Sequence, residues 1–115
     1  VGSVSGRDAA ADKFERYGVE AFDGPVLGLP LVAAGIAWLE CRLIAEPHAQ
    51  QAYDTFFGEV VSAQADDRVF AQGRYRFRDD NRDCHTLHHL GAGLFAVASS
   101  TVQARMLDAP ATPGD

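Results

Sequence analysis

Apolar and polar residues alternate along "GIAWLECRLIAE", residues 35–46. Ala37, Leu39, Cys41 and Leu43 fall on one face and Trp38, Glu40 and Arg42 on the other, the period-two signature of a strand. The following "YDTFFGEVVSAQ" is rich in aromatic and β-branched residues and reads as a second strand. The link "EPHAQQA" is short and polar, so residues 36–45 and 53–63 are expected to be antiparallel neighbours. Gly58, inside the second strand, marks a bulge or a close backbone approach. Trp38 shares its face with Glu40 and Arg42, a poor solvent face for a large aromatic. It is expected to be covered by another subunit or by a further segment of polypeptide.

Around this pair the pattern is weaker. Ser5-Gly6-Arg7-Asp8 has the form of a capping box, and the helix it opens is expected to run through Tyr17 and stop at Gly18. Ala10, Phe14 and Tyr17 make its inner stripe, and Asp12 can pair with Arg16 one turn on. Residues 19–35 hold three glycines and two prolines and read as an irregular connector with one short strand. "ADDRVF" resembles a helical turn and "RYRFR" alternates again. "RDDNRDCHT" is a charged loop, and "LHHLGAGLFAVAS" ends in a strand over 94–98. The tail, residues 108–115, is linker-like and expected to be disordered. The sum is an α+β chain dominated by antiparallel strands, forming part of a barrel.

Composition narrows the function classes. The sequence has 115 residues, enough for one small domain, and 47 % of them are apolar. A net charge of −6 argues against nucleic acid as the main partner, since phosphate binding needs a clustered positive surface. No apolar run is long enough to cross a membrane as a helix. Cys41 and Cys84 lack metal-ligand spacing and read as reduced cytosolic thiols, Cys41 as a buried small hydrophobe. The chain opens on "VGSVSGRD", without methionine, and reads as a fragment of something longer.

Several side chains have two readings. His85, His88 and His89 lie within five residues; they are either zinc ligands or ordinary loop and strand-edge histidines, and the spacing matches no known ligand set. Arg74, Arg76 and Arg78 either hold an anion or form the wet face of a strand. "HHLGAG" lacks the residues of a phosphate loop, and its glycines are expected to make a turn that brings Phe95 back against a neighbour. Lys13 is the single lysine beside nine arginines. It is either a solvated surface residue or a mobile point charge at a pocket rim that can meet a phosphate. No nucleophile–base pair stands out, so no catalytic residue is assigned.

Four stretches, "VGSVSGRDAAADKF", "LPLVAAGIAWLECRL", "FFGEVVSAQ" and "LHHLGAGLF", occur in an order and at a spacing that resemble the flavin reductase-like proteins. The resemblance covers residues 1 to about 104, and the "WLECRL" and "F-x-GEVV" pair carries it most specifically. It implies the FMN-binding split barrel, here lacking its N-terminal strands. Residues 1–107 would then be the C-terminal portion of the domain. It implies FMN as cofactor, with Lys13, Phe14 and Phe95 near it. Many members carry Gly-Asp-His before the second hairpin strand; here the aligned stretch is Ala52-Tyr53-Asp54, which leaves Asp54 as the candidate there. The activity implied is NAD(P)H-dependent reduction of FMN, with hydride transfer to flavin N5 and the chemistry carried by the cofactor. The alternatives are a non-enzymatic FMN-binding electron carrier and a structural fragment without cofactor. The resemblance also implies a homodimer and allows a monooxygenase as electron-accepting partner, and the reduced thiols point to the cytoplasm.

Overall fold

The computed structural model describes residue 7 and residues 12–107. Ser5, Asp8, Ala10 and the tail from 108 lie outside the described residues. Among the described residues, eight strands pair in sequence into four antiparallel hairpins, each a separate two-stranded sheet. They are β1 (Ala21–Asp23) with β2 (Pro30–Val32), β3 (Ala37–Ile44) with β4 (Phe57–Ala65), β5 (Phe70–Ala71) with β6 (Arg74–Tyr75), and β7 (Leu87–Gly91) with β8 (Leu94–Val97). Helix α1 is Lys13–Arg16 and helix α2 is Pro47–Tyr53. The chain is α+β with antiparallel strands, as expected. Among the described residues the strands do not close into a barrel.

Several expectations are corrected. Asp12 has ψ 128°, so a helix arriving from Ser5 cannot pass through it; its carboxylate accepts the Phe14 N–H at 2.9 Å and starts α1 afresh. Asp12 therefore caps α1 and forms no ion pair with Arg16, whose guanidinium lies over the Tyr17 ring at 5.6 Å. No residue of α1 is buried; of the expected inner stripe Phe14 is half-buried and Tyr17 exposed, while Ala10 lies outside the described residues. Gly18 does take the left-handed conformation, φ +60°. The 19–35 connector holds two strands, not one. The polar link after β3 is a helix, with Pro47 at its first turn where a missing N–H costs nothing. Tyr53 ends that helix and does not open the second strand.

The β3–β4 pair is the longest ladder. It runs from Ala37 opposite Ala65 to Ile44 opposite Phe57, and the register shifts between Glu40 and Cys41. Ser62 faces Glu40 and Val60 faces Cys41, so Val61 is the extra residue of a bulge. One face carries Ala37, Leu39, Cys41 and Leu43. The other carries Trp38, Glu40, Arg42 and Ile44. At Gly58 a Cβ would lie 3.0 Å from that of Cys41, the close approach expected there.

Which face is covered reverses the simple reading. The β1–β2 hairpin lies on the Trp38 face. Trp38 meets Phe22 edge-on at 5.2 Å, and its indole N–H donates to the Val32 carbonyl at 2.6 Å. Glu40 beside it is 1 % exposed. Trp38 thus finds its cover within the chain. The face of Leu39, Cys41 and Leu43 is open, so Cys41 is exposed and Cys84 is the buried thiol.

Buried apolar side chains are few: Leu31, Val69 and Cys84 among the described residues. The radius of gyration is 20.1 Å, against about 13 Å for a compact domain of roughly this size. Large apolar residues line open sheet faces instead of a shared core.

Candidate functional site

Glu40 is the most heavily engaged side chain. Its carboxylate accepts the backbone N–H of Val26 at 3.0 Å and of Leu27 at 2.8 Å, both in the β1–β2 loop. Gly24 closes that loop by donating to the Leu29 carbonyl at 2.8 Å. A Cβ on Gly24 would collide with the Glu40 carboxylate, so only glycine permits the approach. Burial alone would push the Glu40 carboxyl up. The N–H groups of Leu27 and Val26, helped by Leu29 and the Ser62 hydroxyl, outweigh burial and hold it below the usual glutamate value. This clamp fixes two hairpins to each other. Its acceptor is fully used, so Glu40 is a structural carboxylate and not a base in waiting.

A second polar centre forms where the 3-10 segment Asp79–Cys84 kinks at Asn81. The buried Asn81 amide donates to the carbonyls of Arg68 and Arg76, at 3.0 and 2.8 Å, and its oxygen accepts the Arg78 N–H at 2.8 Å. The His85 ring sits between two sets of oxygens. Nδ1 is 2.5 Å from the Ala98 carbonyl; Nε2 is 3.0 Å from that of Arg78 and 3.1 Å from Asn81 Oδ1. His85 therefore ties the chain after β8 to the 3-10 segment. No group of three His, Cys, Asp or Glu among the described residues is placed to hold a metal ion.

A cleft of about 430 Å³ beside this centre is lined by Arg68, Arg78, Asp80, Asn81, Asp83 and Cys84. Its charges are met internally. Arg68 pairs with Asp66 at 2.7 Å and with Asp83 at 3.4 Å, and Arg78 pairs with Asp80 at 3.3 Å. Hydrogen bonds from Arg68 hold the Asp66 carboxyl below its usual range. Burial pushes the Cys84 thiol up, against the lowering effect of Arg68, so it stays protonated and inert. Arg76 bonds Gln72. Two of the alternating arginines, Arg76 and Arg78, thus meet neighbours within the protein, and only Arg74 and Tyr75 of "RYRFR" belong to a strand.

The four residues named from the resemblance lie on different elements. Lys13 and Phe14 open α1, both half-buried. Asp54 caps the end of α2 with φ +47°, and its N–H donates to the Ala49 carbonyl. Aspartate tolerates this left-handed conformation better than most residues, which is a structural reason for it to stand there. Asp54→Gly is accordingly expected to melt no lower than the parent, and Asp54→Val to lose about 1–2 kcal/mol. A fall in flavin affinity in Asp54→Gly, at unchanged melting temperature, would instead give the carboxylate a role at a ligand.

Phe95 is on β8, opposite His89 of β7. The Ala92-Gly93 turn, both residues at positive φ, folds the hairpin so that the two rings lie 4.9 Å apart. This is the neighbour that the glycine turn was expected to supply. His88 points to the opposite face, so the three histidines do not converge. Phe95 remains 51 % exposed, an aromatic surface on an open hairpin.

A lysine beside a phenylalanine on α1, and an open aromatic pair on another hairpin, suit a planar anionic ligand in kind. Comparison with known proteins gives this a frame. Residues 1–79 match the flavin reductase like domain. An uncharacterized protein, YddH, of Escherichia coli (strain K12) is 57 % identical over 105 residues, covering 90 % of this chain and 53 % of its own. The crystal structure of an FMN-binding domain of a flavin reductases-like enzyme from Shewanella baltica OS155 aligns with a TM-score of 0.79 at 39 % identity. That alignment covers 90 % of this chain and 53 % of the other. The chain spans about half the length of both relatives. With more than half of its residues matched, the chain belongs to the flavin reductase-like domain family.

Proposed function

We propose that this chain is part of an FMN-binding oxidoreductase that uses NAD(P)H to reduce flavin. The observation that carries the reading is the match of residues 1–79 to the family, supported by the likeness to an FMN-binding domain. The side chains fit such a ligand in kind. Lys13 supplies a point charge for the phosphate, and Phe14 and the His89–Phe95 pair supply flat apolar surface for a ring system. When bound, FMN supplies the hydride acceptor, at N5. The part left to these residues is to bind, to orient and to keep water away.

The same reading takes residues 1–107 as the C-terminal portion of a split barrel, within a cytoplasmic homodimer, with a monooxygenase as one acceptor of the electrons. Among the described residues no helix is long and apolar enough to cross a membrane.

Purified protein is expected to take up FMN, seen as the visible flavin absorption band after desalting or as quenching in a fluorescence titration. Added FMN is expected to accelerate NADH or NADPH oxidation. Binding without turnover would replace the reductase reading by an electron carrier. Failure to bind any flavin would overturn both.

A further inference from the structure

The oxygens that bond the His85 ring are acceptors on both sides. Nδ1 faces the Ala98 carbonyl at 2.5 Å, just past the end of β8. Nε2 faces the Arg78 carbonyl at 3.0 Å and Asn81 Oδ1 at 3.1 Å, at the 3-10 segment. The Asn81 amide cannot be turned over to offer a donor instead. Its NH2 group is committed to the carbonyls of Arg68 and Arg76, and its oxygen to the Arg78 N–H. Reversal would set donor on donor and acceptor on acceptor. A neutral imidazole has one N–H and serves one side only; its other nitrogen would turn a lone pair toward a carbonyl. The doubly protonated ring alone satisfies both sides.

The surroundings leave this balance to the ring itself. Asp79 and Arg82 share a cleft of about 230 Å³ with His85 and pair with each other at 2.8 Å. The Arg78 guanidinium is turned to Asp80 at 3.3 Å. The Cys84 thiol, next in the chain, is kept protonated by burial. Val97 and Ser99 approach from the β8 side, and the Phe77 ring lies 4.9 Å away; none of these three titrates.

We propose that His85 is a pH-sensitive latch: its imidazolium docks the end of the β7–β8 hairpin on the 3-10 segment, and loss of one ring proton to water releases it. Histidine is the side chain that ordinarily changes charge between about pH 5 and 8. Docking is therefore complete in acid and weakens as the pH rises. The hairpin carries the His89–Phe95 pair, so the latch sets how firmly that aromatic surface is held. The proposal concerns the hairpin and stands whether or not the protein binds flavin.

Two readings on the 15N-labelled protein test it across that pH range. One is the pair of ring nitrogen shifts of His85, which are alike in an imidazolium and far apart in a neutral ring. The other is hydrogen exchange at the Ala98 N–H, which donates to the Thr86 carbonyl at 3.1 Å, corrected for the intrinsic pH dependence of exchange. As the pH rises the two nitrogens are expected to separate, and Ala98 protection to fall at least about tenfold over the same interval. His85→Gln, whose amide places its donors on one side only, is expected to show weak protection in acid and no step. Separation of the nitrogens with Ala98 protection unchanged overturns the proposal, because a neutral ring would then hold the hairpin as well. A step of the same size in His85→Gln overturns it too. So does a ring that keeps both protons throughout, since nothing would then release the hairpin. Should His85→Gln fail to fold, the two readings on the parent decide.

Discussion

Glu40→Gln is expected to melt about 10 °C below the parent at neutral pH, since hydrogen bonds to a buried charged group are among the strongest single contributions in a small domain. Glutamine keeps the volume and one oxygen. Its NH2 group, however, must face a backbone N–H of Val26 or Leu27, donor against donor, where the carboxylate accepted both. The β1–β2 loop is then released from the sheet, and Trp38 loses part of the cover that Phe22 gives it. Acid acts through the same group. The Glu40 carboxyl is held below its ordinary value of 4.5 in the folded chain. The stability this contributes is present in full above that unfolded value and drains away as the pH falls through the lower, folded one. The gap between parent and Glu40→Gln should therefore narrow as the pH falls below the ordinary glutamate value. Melting curves by circular dichroism decide it. Equal melting temperatures at neutral pH, or a gap that does not narrow in acid, would remove the clamp from the account.

Lys13→Ala is expected to weaken binding of FMN more than binding of riboflavin, which lacks the phosphate. A charge-assisted contact contributes about 1.5–3 kcal/mol when partly buried, and every 1.4 kcal/mol is tenfold in affinity, so the expected loss for FMN is roughly 10- to 150-fold. Lys13 is half-buried at the start of α1, next to Phe14, a geometry that supports the upper part of that range over the value for a fully solvated pair. Lys13→Arg should rescue in part, because the guanidinium is a larger fork with different demands. Flavin fluorescence titrations at fixed salt measure it. Equal weakening for the two ligands would mean that Lys13 touches no phosphate, and no weakening of either would leave it a surface lysine.

The β3–β4 hairpin could be read from the sequence because alternation over eight residues is a strong signal. The same alternation could not say which face is covered. Period two sorts Leu39 from Glu40 but contains no information about the β1–β2 hairpin, whose strands hide among three glycines and two prolines. The role of Glu40 was not legible because its partners are backbone N–H groups, which every sequence has and none displays. The β7 strand escaped notice because Leu-His-His-Leu breaks alternation, whereas the turn at Ala92-Gly93 was marked by its glycines. Asp12 was assigned to a helix interior, although aspartate commonly competes for a nearby N–H and ends up as a cap. Lys13 stood out as the single lysine and Phe95 by the glycine turn before it, but only the family likeness set them, with Phe14, near a flavin. Neither burial nor patterning would have separated them from other half-exposed residues.

The extra residue at Val61 has one more effect. It sets the parity of β4 so that Ser62, and not Val61, shares a face with Glu40. If the ladder slid by one position, Leu39 or Cys41 would meet the β1–β2 loop. Neither can accept the N–H groups of Val26 and Leu27, and the carboxylate would be turned into the apolar face with nothing to solvate it. The clamp and the bulge therefore belong to one register: the alignment that sets Ser62 opposite Glu40 is the one in which the loop closes on the carboxylate.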